Sequence, residues 1–210
     1  VFHVKQPERL SLPSIDVSRE TLQRLEAFLP LFLRWNARIN LTATRDPEVL
    51  QQRHIADSLQ LLPLFQAGEG PMADLGTGGG FPGLILAMAT DRPVHLVESD
   101  RRKAAFLQAA AAELALAHVT VHVARIEAVS LPPVAVLTAR ALAPLDRLLP
   151  WAERLLAPEG VAIFPKGRGA EEELAAVAPD WTMTAERFKS TTDPEATILR
   201  MSGIRRAGAH

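Results

Sequence analysis

The chain of 210 residues contains no cysteine. That absence excludes disulfides, thiolate-held zinc, cysteine-ligated iron–sulfur clusters and cysteine nucleophiles together, and it suits a reducing cytoplasm, the expected location. Long apolar runs are missing too. Charges or prolines interrupt each hydrophobic stretch, so no membrane span is expected. The first ten residues carry Lys5, Glu8 and Arg9 without the apolar segment of a signal peptide. Charge of one sign is also lacking. With a formal net charge of −1, a polyanionic partner must be met by a local patch and not by the field of the whole protein. What the chain does have is core material: 48% hydrophobic against 22% charged residues, enough for one medium domain with a small appendage.

The most informative stretch is Met72-Ala73-Asp74-Leu75-Gly76-Thr77-Gly78-Gly79-Gly80-Phe81-Pro82-Gly83-Leu84. A short apolar run ends in an acid, a glycine-rich turn follows, and an apolar helical segment opens at Pro82. Strand, turn and helix N-terminus in that order let a nucleotide-like ligand lie against bare backbone. Gly78, Gly80 and Gly83 satisfy the dinucleotide fingerprint, so a nicotinamide or flavin site is an alternative. Asp74 at the strand end argues against it. A pyrophosphate would be repelled there, whereas the cationic sulfonium and amino group of S-adenosylmethionine would be attracted. Glu98 ends the next strand, about two dozen residues on, and its two oxygens suit the hydroxyls of a ribose.

The rest of the chain frames this turn. Ser18 can cap a helix whose apolar positions Leu22, Leu25, Phe28, Leu29 and Phe32 recur at helical spacing, with Pro30 predicting a kink or break. Asp46-Pro47-Glu48 starts another helix, which carries Arg53, His54 and Asp57, with Arg53 and Asp57 spaced to pair on one face. From residue 72 onward, strands at 72–75, 94–97, 119–123, 134–138 and 161–164 alternate with helices at 82–89, 101–116, 145–156 and 170–177. This predicts a parallel, doubly wound sheet. Residues 181–189 and 196–201 read as an antiparallel hairpin closing its edge. The expected fold is α/β: the class I S-adenosylmethionine-dependent methyltransferase fold, a seven-stranded, mostly parallel sheet with a C-terminal antiparallel hairpin and an N-terminal helical extension. The expected divisions are an arm and helical extension at 1–68, a Rossmann-like domain at 69–204 and a mobile tail at 205–210.

The chemistry is narrowed by what is missing. Carbon-5 methylation of pyrimidines usually needs a cysteine. Exocyclic amine methylation usually uses an Asn/Asp-Pro-Pro-aromatic motif after the fourth strand, where this chain has Ala139-Arg140-Ala141-Leu142-Ala143-Pro144. A ring nitrogen that already offers a lone pair needs neither device. Arg140 follows the strand's C-terminal end and can pair with a cofactor carboxylate or present its guanidinium to a base. Glu127 lies at the corresponding end of the third strand, placed for an adenine edge. Lys166 and Arg168, with Arg101, Arg102 and Lys103, are candidates for a phosphate-binding rim.

The ordered set Trp35-Asn36, Ile39-Asn40-Leu41-Thr42, Arg45-Asp46-Pro47, Arg53-His54-Ile55 with Asp57-Ser58, the glycine turn, Glu98-Ser99 with Arg102-Lys103, Arg125-x-Glu127, Arg140-Ala141 and Lys166-Gly167 resembles the bacterial small-subunit ribosomal RNA methyltransferase G family. The resemblance spans about residues 28–167. It implies methyl transfer from S-adenosylmethionine, giving S-adenosylhomocysteine, to N7 of a guanine in the decoding-region loop of 16S rRNA. It implies cofactor contacts at Gly76, Phe81, Ile126, Glu127 and Arg140, beside the Asp74, Gly78, Gly80 and Glu98 read from the residues themselves, with Arg140 also the expected catalytic contact. The expected partner is 16S rRNA within a small ribosomal subunit or its precursor, met by a monomer without metal or membrane. The competing readings are a small-molecule methyltransferase, a nicotinamide-dependent oxidoreductase and a non-catalytic, S-adenosylmethionine-sensing RNA-binding module.

Overall fold

A computed structural model of the chain describes residues 17–65 and 70–208. The expected N-terminal arm and the first residues of the glycine-rich stop before residue 70 lie outside the described residues.

Helix α1 (Arg19–Ile39) begins where Ser18 accepts the Thr21 N–H at 3.1 Å. Its buried positions Thr21, Leu25, Phe28, Leu31, Phe32 and Asn36 form one helical stripe. Pro30 does not end it. The proline is exposed, so the hydrogen bond it cannot make is lost on the solvent face, where water can serve the carbonyl. Asn40 ends the helix in the left-handed region, at φ 55°. Buried Asn36 then folds the following loop by accepting the Thr42 N–H and donating to the Thr44 carbonyl, both at 2.9 Å.

Next come α2 (Pro47–Leu50), capped by Asp46, a π-helical turn at Gln51–Ala56, and α3 (Asp57–Leu59). Hydrophobic periodicity alone did not separate that π-turn from an α-helix. It widens the helix where Arg53 and His54 project, the kind of local irregularity common at functional sites.

Seven strands follow: β1 (Met72–Leu75), β2 (Val94–Glu98), β3 (Val119–Val123), β4 (Val134–Thr138), β5 (Leu156–Lys166), β6 (Trp181–Lys189) and β7 (Thr197–Arg206). They form one sheet in the order β3-β2-β1-β4-β5-β7-β6. The first five run parallel, and β7 inserts antiparallel between β5 and β6. Helices α4 (Gly83–Met88), α5 (Arg101–Glu113), α6 (Leu145–Leu155) and α7 (Ala170–Val177) complete the two layers. One apolar core joins α1, α4 and α5 to a sheet face, and a second joins α6 and α7 to the other.

Two expectations on domain limits change. The helical extension is not a separate body: Phe28 and Phe32 of α1 pack with Phe81 and with Phe106 of α5, and Trp35 also meets Phe106. Nor are Arg205 and Arg206 a loose tail, since both pair in register with β6, and the Arg206 guanidinium lies over the Trp181 ring. No helix among the described residues is long and apolar enough to cross a membrane.

Candidate functional site

The strand order reverses at β1, which lies between β2 and β4, and ligands of doubly wound sheets bind at that switch point beyond the strands' carboxyl ends. The glycine turn emerges there. Gly76, Gly78 and Gly80 adopt φ of 64°, 58° and 94°, a backbone path that side chains resist. Gly83 is small for a different reason: a Cβ there would stand 2.5 Å from that of Asp74, so glycine lets the start of α4 touch β1.

Asp74 is fully buried. One oxygen accepts the Gly83 N–H at 3.0 Å and the other the Thr138 hydroxyl at 2.7 Å. Burial pushes its carboxyl up to about 6, against the pull of those hydrogen bonds. The expectation that Asp74 faces the sulfonium is therefore corrected: its oxygens turn inward and tie β1, β4 and the first turn of α4 together. Exclusion of a dinucleotide cannot rest on this charge.

Glu98, at the end of β2, has one oxygen on the Gly78 N–H at 2.8 Å and the other on the Asp100 N–H at 2.7 Å. Each carboxylate oxygen keeps a second acceptor position. After neighbouring β3, the turn bearing buried Ile126 and exposed Glu127 is held by Arg154 of α6, which donates to both their carbonyls. The glycines, Glu98, Ile126 and Glu127 thus line the ends of three adjacent strands. A bare glycine cradle with an acid at the next strand end suits the adenosine and amino-acid portions of S-adenosylmethionine.

Arg140, just beyond β4, sits on the other side of the turn. Its guanidinium lies 5.5 Å from the Phe81 ring centroid and donates to Asp57 Oδ2 at 2.9 Å, His54 Nδ1 at 2.9 Å and the Arg53 carbonyl at 3.3 Å. The expected Arg53–Asp57 pair is replaced by the Asp57–Arg140 bridge. His54 stacks on Phe81, with centroids 4.8 Å apart. Because arginine can only donate, His54 Nδ1 accepts and its proton sits on Nε2, 3.4 Å from the Thr42 hydroxyl. Burial first, then the charge of Arg140, brings His54 down to about 4 and keeps it neutral near pH 7. Phe81 itself is 7% exposed, chiefly a wall of the aromatic core.

A cleft of about 1060 Å³ opens beside Arg140, between the π-turn, the β4–α6 loop (139–144), the end of β5 and the β6–β7 turn (192–196). Leu142 of that loop also packs against Gly76, so cleft and glycine turn share a wall. Lys166 does not join a phosphate rim. Its ammonium points inward, donating to the Ala143 carbonyl at 2.9 Å and Glu173 at 2.8 Å. Arg168 is exposed but paired with Glu195, while Arg101 and Arg102 remain exposed on α5. Among the described residues, no group of three or more His, Asp or Glu side chains could hold a metal ion.

The family model for rRNA small subunit methyltransferase G matches residues 21–198. The chain belongs to the small-subunit rRNA methyltransferase G family. Curated relatives named ribosomal RNA small subunit methyltransferase G are 51% identical in Granulibacter bethesdensis, over 98% of this chain and 100% of that protein. The relative from Acidiphilium cryptum is 58% identical, over 91% of this chain and 95% of its own length. Among solved structures, an O-methyltransferase from Bacillus cereus in complex with S-adenosylhomocysteine superposes with a TM-score of 0.59 at 19% identity, covering 84% of this chain and 90% of its own. That likeness places the methyltransferase G sheet in the class I methyltransferase fold.

For two residues of the cleft the sequence does not show the role. Thr192 lies in a polar turn without a motif. Asp57 stands among the ordered family motifs, but helical spacing pairs it with Arg53 on the same helix and not with the arginine 83 residues away.

Proposed function

We propose that the glycine turn and the cleft are the two halves of one methyl-transfer site, the first for S-adenosylmethionine and the second for a guanine of 16S rRNA. As a member of its family the protein is a methyltransferase of small-subunit ribosomal RNA. The observation that carries the division of the site is Arg140, which lies over Phe81 of the glycine turn and also lines the cleft.

When bound, S-adenosylmethionine supplies an electrophilic methyl group open to in-line displacement. Gly76, Gly78 and Gly80 would let the cofactor approach the backbone. Glu98 would accept from ribose hydroxyls with its spare lone pairs, and the Ile126–Glu127 turn would meet the adenine. Guanine N7 brings its own lone pair, so no side chain has to remove a proton before attack, in keeping with a cleft whose one histidine is already neutral and bonded to Arg140. The chain's task would be alignment, and the apolar side chains of Leu142 and Phe81 beside the turn would help keep water from the bound cofactor. Arg140 has a guanidinium fixed at the boundary of the two halves, suited to a cofactor carboxylate or guanine O6. Bidentate binding of O6 and N7 by arginine would block the reacting lone pair, so a single contact is the compatible arrangement. Asp74 supports the site from beneath, holding the turn without touching ligand. We further assign the substrate to a small subunit or its precursor, methylated by a monomer in the cytoplasm.

The test is methyl transfer from labelled S-adenosylmethionine to free 16S rRNA, a precursor particle and the mature subunit, all lacking the modification, with the product nucleoside identified. 7-Methylguanosine is expected. Binding of S-adenosylmethionine without label incorporation on any of the three would instead describe a sensor, and tight NADH binding without S-adenosylmethionine binding would remove the reading altogether.

A further inference from the structure

Asp57 joins three parts of the chain at the mouth of the cleft. Its Oδ2 accepts from Arg140 at 2.9 Å, and its Oδ1 accepts the Thr192 hydroxyl at 2.8 Å and Gln60 Nε2 at 2.7 Å. Gln60 extends the link. Its Oε1 accepts the Thr191 N–H at 2.8 Å and the Thr191 hydroxyl at 3.0 Å. Within the β6–β7 turn, the Ser190 hydroxyl accepts the N–H groups of Thr192 and Asp193, both at 3.2 Å, which stiffens the segment being held.

The hairpin does not need this link to form. The antiparallel ladders from β5 to β7 and from β7 to β6, with buried Leu199 and Met201 on the second core, already secure it. What the link decides is where the tip of the hairpin stands relative to Arg140, and both line the cleft. The Arg140 and Asp57 side chains are 18% and 17% exposed, so their bridge is largely shielded from water and carries more than a surface ion pair.

We propose that Asp57 is a positioning residue that seats the Arg140 guanidinium and the β6–β7 turn together, making the turn the outer wall of the rRNA-binding cleft. This rests on the assignment of the cleft to the acceptor. The C-terminal hairpin thereby contributes to substrate recognition, through a tether to the N-terminal helical segment and not through the sheet.

The experiment uses the full chain and small ribosomal subunits lacking the modification. It compares Asp57→Ala, Thr192→Val, Thr192→Ser, the Asp57→Ala/Thr192→Val double variant and Arg140→Ala. The KM for subunits, kcat, the Kd for S-adenosylmethionine and the Tm are measured for each. Thr192→Val keeps the side chain's shape and removes the hydroxyl, so the subunit KM is expected to rise about threefold, with cofactor Kd and Tm unchanged. Thr192→Ser, which keeps the hydroxyl, is expected to restore the parent KM. Asp57→Ala, which removes both oxygens, is expected to raise the KM about tenfold, and the double variant to be no worse than Asp57→Ala alone, since the Thr192 hydroxyl then has no Asp57 acceptor left to lose. Parent KM values in Thr192→Val and Asp57→Ala overturn the proposal, as does a double variant showing the full product of the single effects. An impaired Arg140→Ala beside such results leaves the acceptor reading standing. An unimpaired Arg140→Ala removes that reading's central residue, while Thr192→Val still judges the turn.

Discussion

Burial lifts the Asp74 carboxyl to about 6, above its ordinary 3.8, so the folded protein holds that proton more tightly than the unfolded chain does. The stability contributed by Asp74 is therefore fully present below about pH 4 and is lost as pH rises through 6. Asparagine can replace it in shape: Oδ1 accepts the Gly83 N–H while Nδ2 donates to the Thr138 hydroxyl, whose own proton turns to the Ala73 carbonyl 3.5 Å away. Asp74→Asn should thus gain on the parent between pH 5 and 7.5 by on the order of 1–3 kcal/mol, read from urea denaturation at the two pH values. His54 runs the other way. With its value lowered to about 4, it contributes stability above pH 6.5 that is lost as pH falls toward 4. In His54→Gln that acid-side loss should shrink, seen as a flatter Tm between pH 4.5 and 6.5. Arg140→Ala should weaken cofactor binding or turnover at least tenfold, through loss of a charge-assisted contact of about 1.5–3 kcal/mol. Steady-state kinetics with unchanged values would make Arg140 a bystander.

At the scale of elements, the glycine turn is shaped from below as much as from within. The α4 N-terminus lies so close to β1 that a Cβ on Gly83 would meet Asp74 and Leu96, at 2.5 and 2.6 Å. Gly83→Ala should therefore destabilise the fold by about 1–3 kcal/mol, measured by chemical denaturation, and raise the Kd for S-adenosylmethionine because the turn moves with the helix. The aromatic cluster of Phe28, Phe32, Phe81 and Phe106 connects α1 to the same turn. Phe32, fully buried, should cost about 3–5 kcal/mol as Phe32→Ala by the same measurement, with cofactor affinity falling as Phe81 loses its support. Strands, helices and the closing hairpin were legible from hydrophobic periodicity and turn residues. Two local features were not. The π-turn at Gln51–Ala56 leaves the apolar pattern of a helix nearly unchanged while shifting where Arg53 and His54 point. The exposed Pro30 reads in sequence as a breaker, and only its solvent-facing position in α1 makes it harmless.

For the whole molecule, a net charge of −1 means that the proposed binding of rRNA has to rest on local positive charge and not on the overall field. Arg53 lines the cleft and is exposed, as are Arg45, Arg101 and Arg102 elsewhere, whereas Lys166 is consumed by Glu173 and Arg168 by Glu195. With two or three phosphate contacts, the subunit KM should rise with salt at a logarithmic slope of about 2, while the Kd for S-adenosylmethionine stays nearly constant. Kinetics between 50 and 300 mM salt, taken as approximate working limits, would check this; a slope near zero would place recognition on uncharged contacts.

The sequence by itself determined the strand order's raw material, the glycine turn, the acids at two strand ends and the family, because these depend on local residue types and their spacing along the chain. The tertiary structure alone decided what the charged side chains do. Asp74 turned from ligand to internal tie because its strand is covered on both faces, leaving its carboxylate no route to solvent. Arg140 took Asp57 and His54 as partners, and Lys166 took Glu173, because long flexible cations reach whatever acceptor the fold brings within about 3 Å. Such reach has no period in the sequence. It is set where distant segments dock, and here that is the mouth of the cleft between the π-turn, β4 and the hairpin.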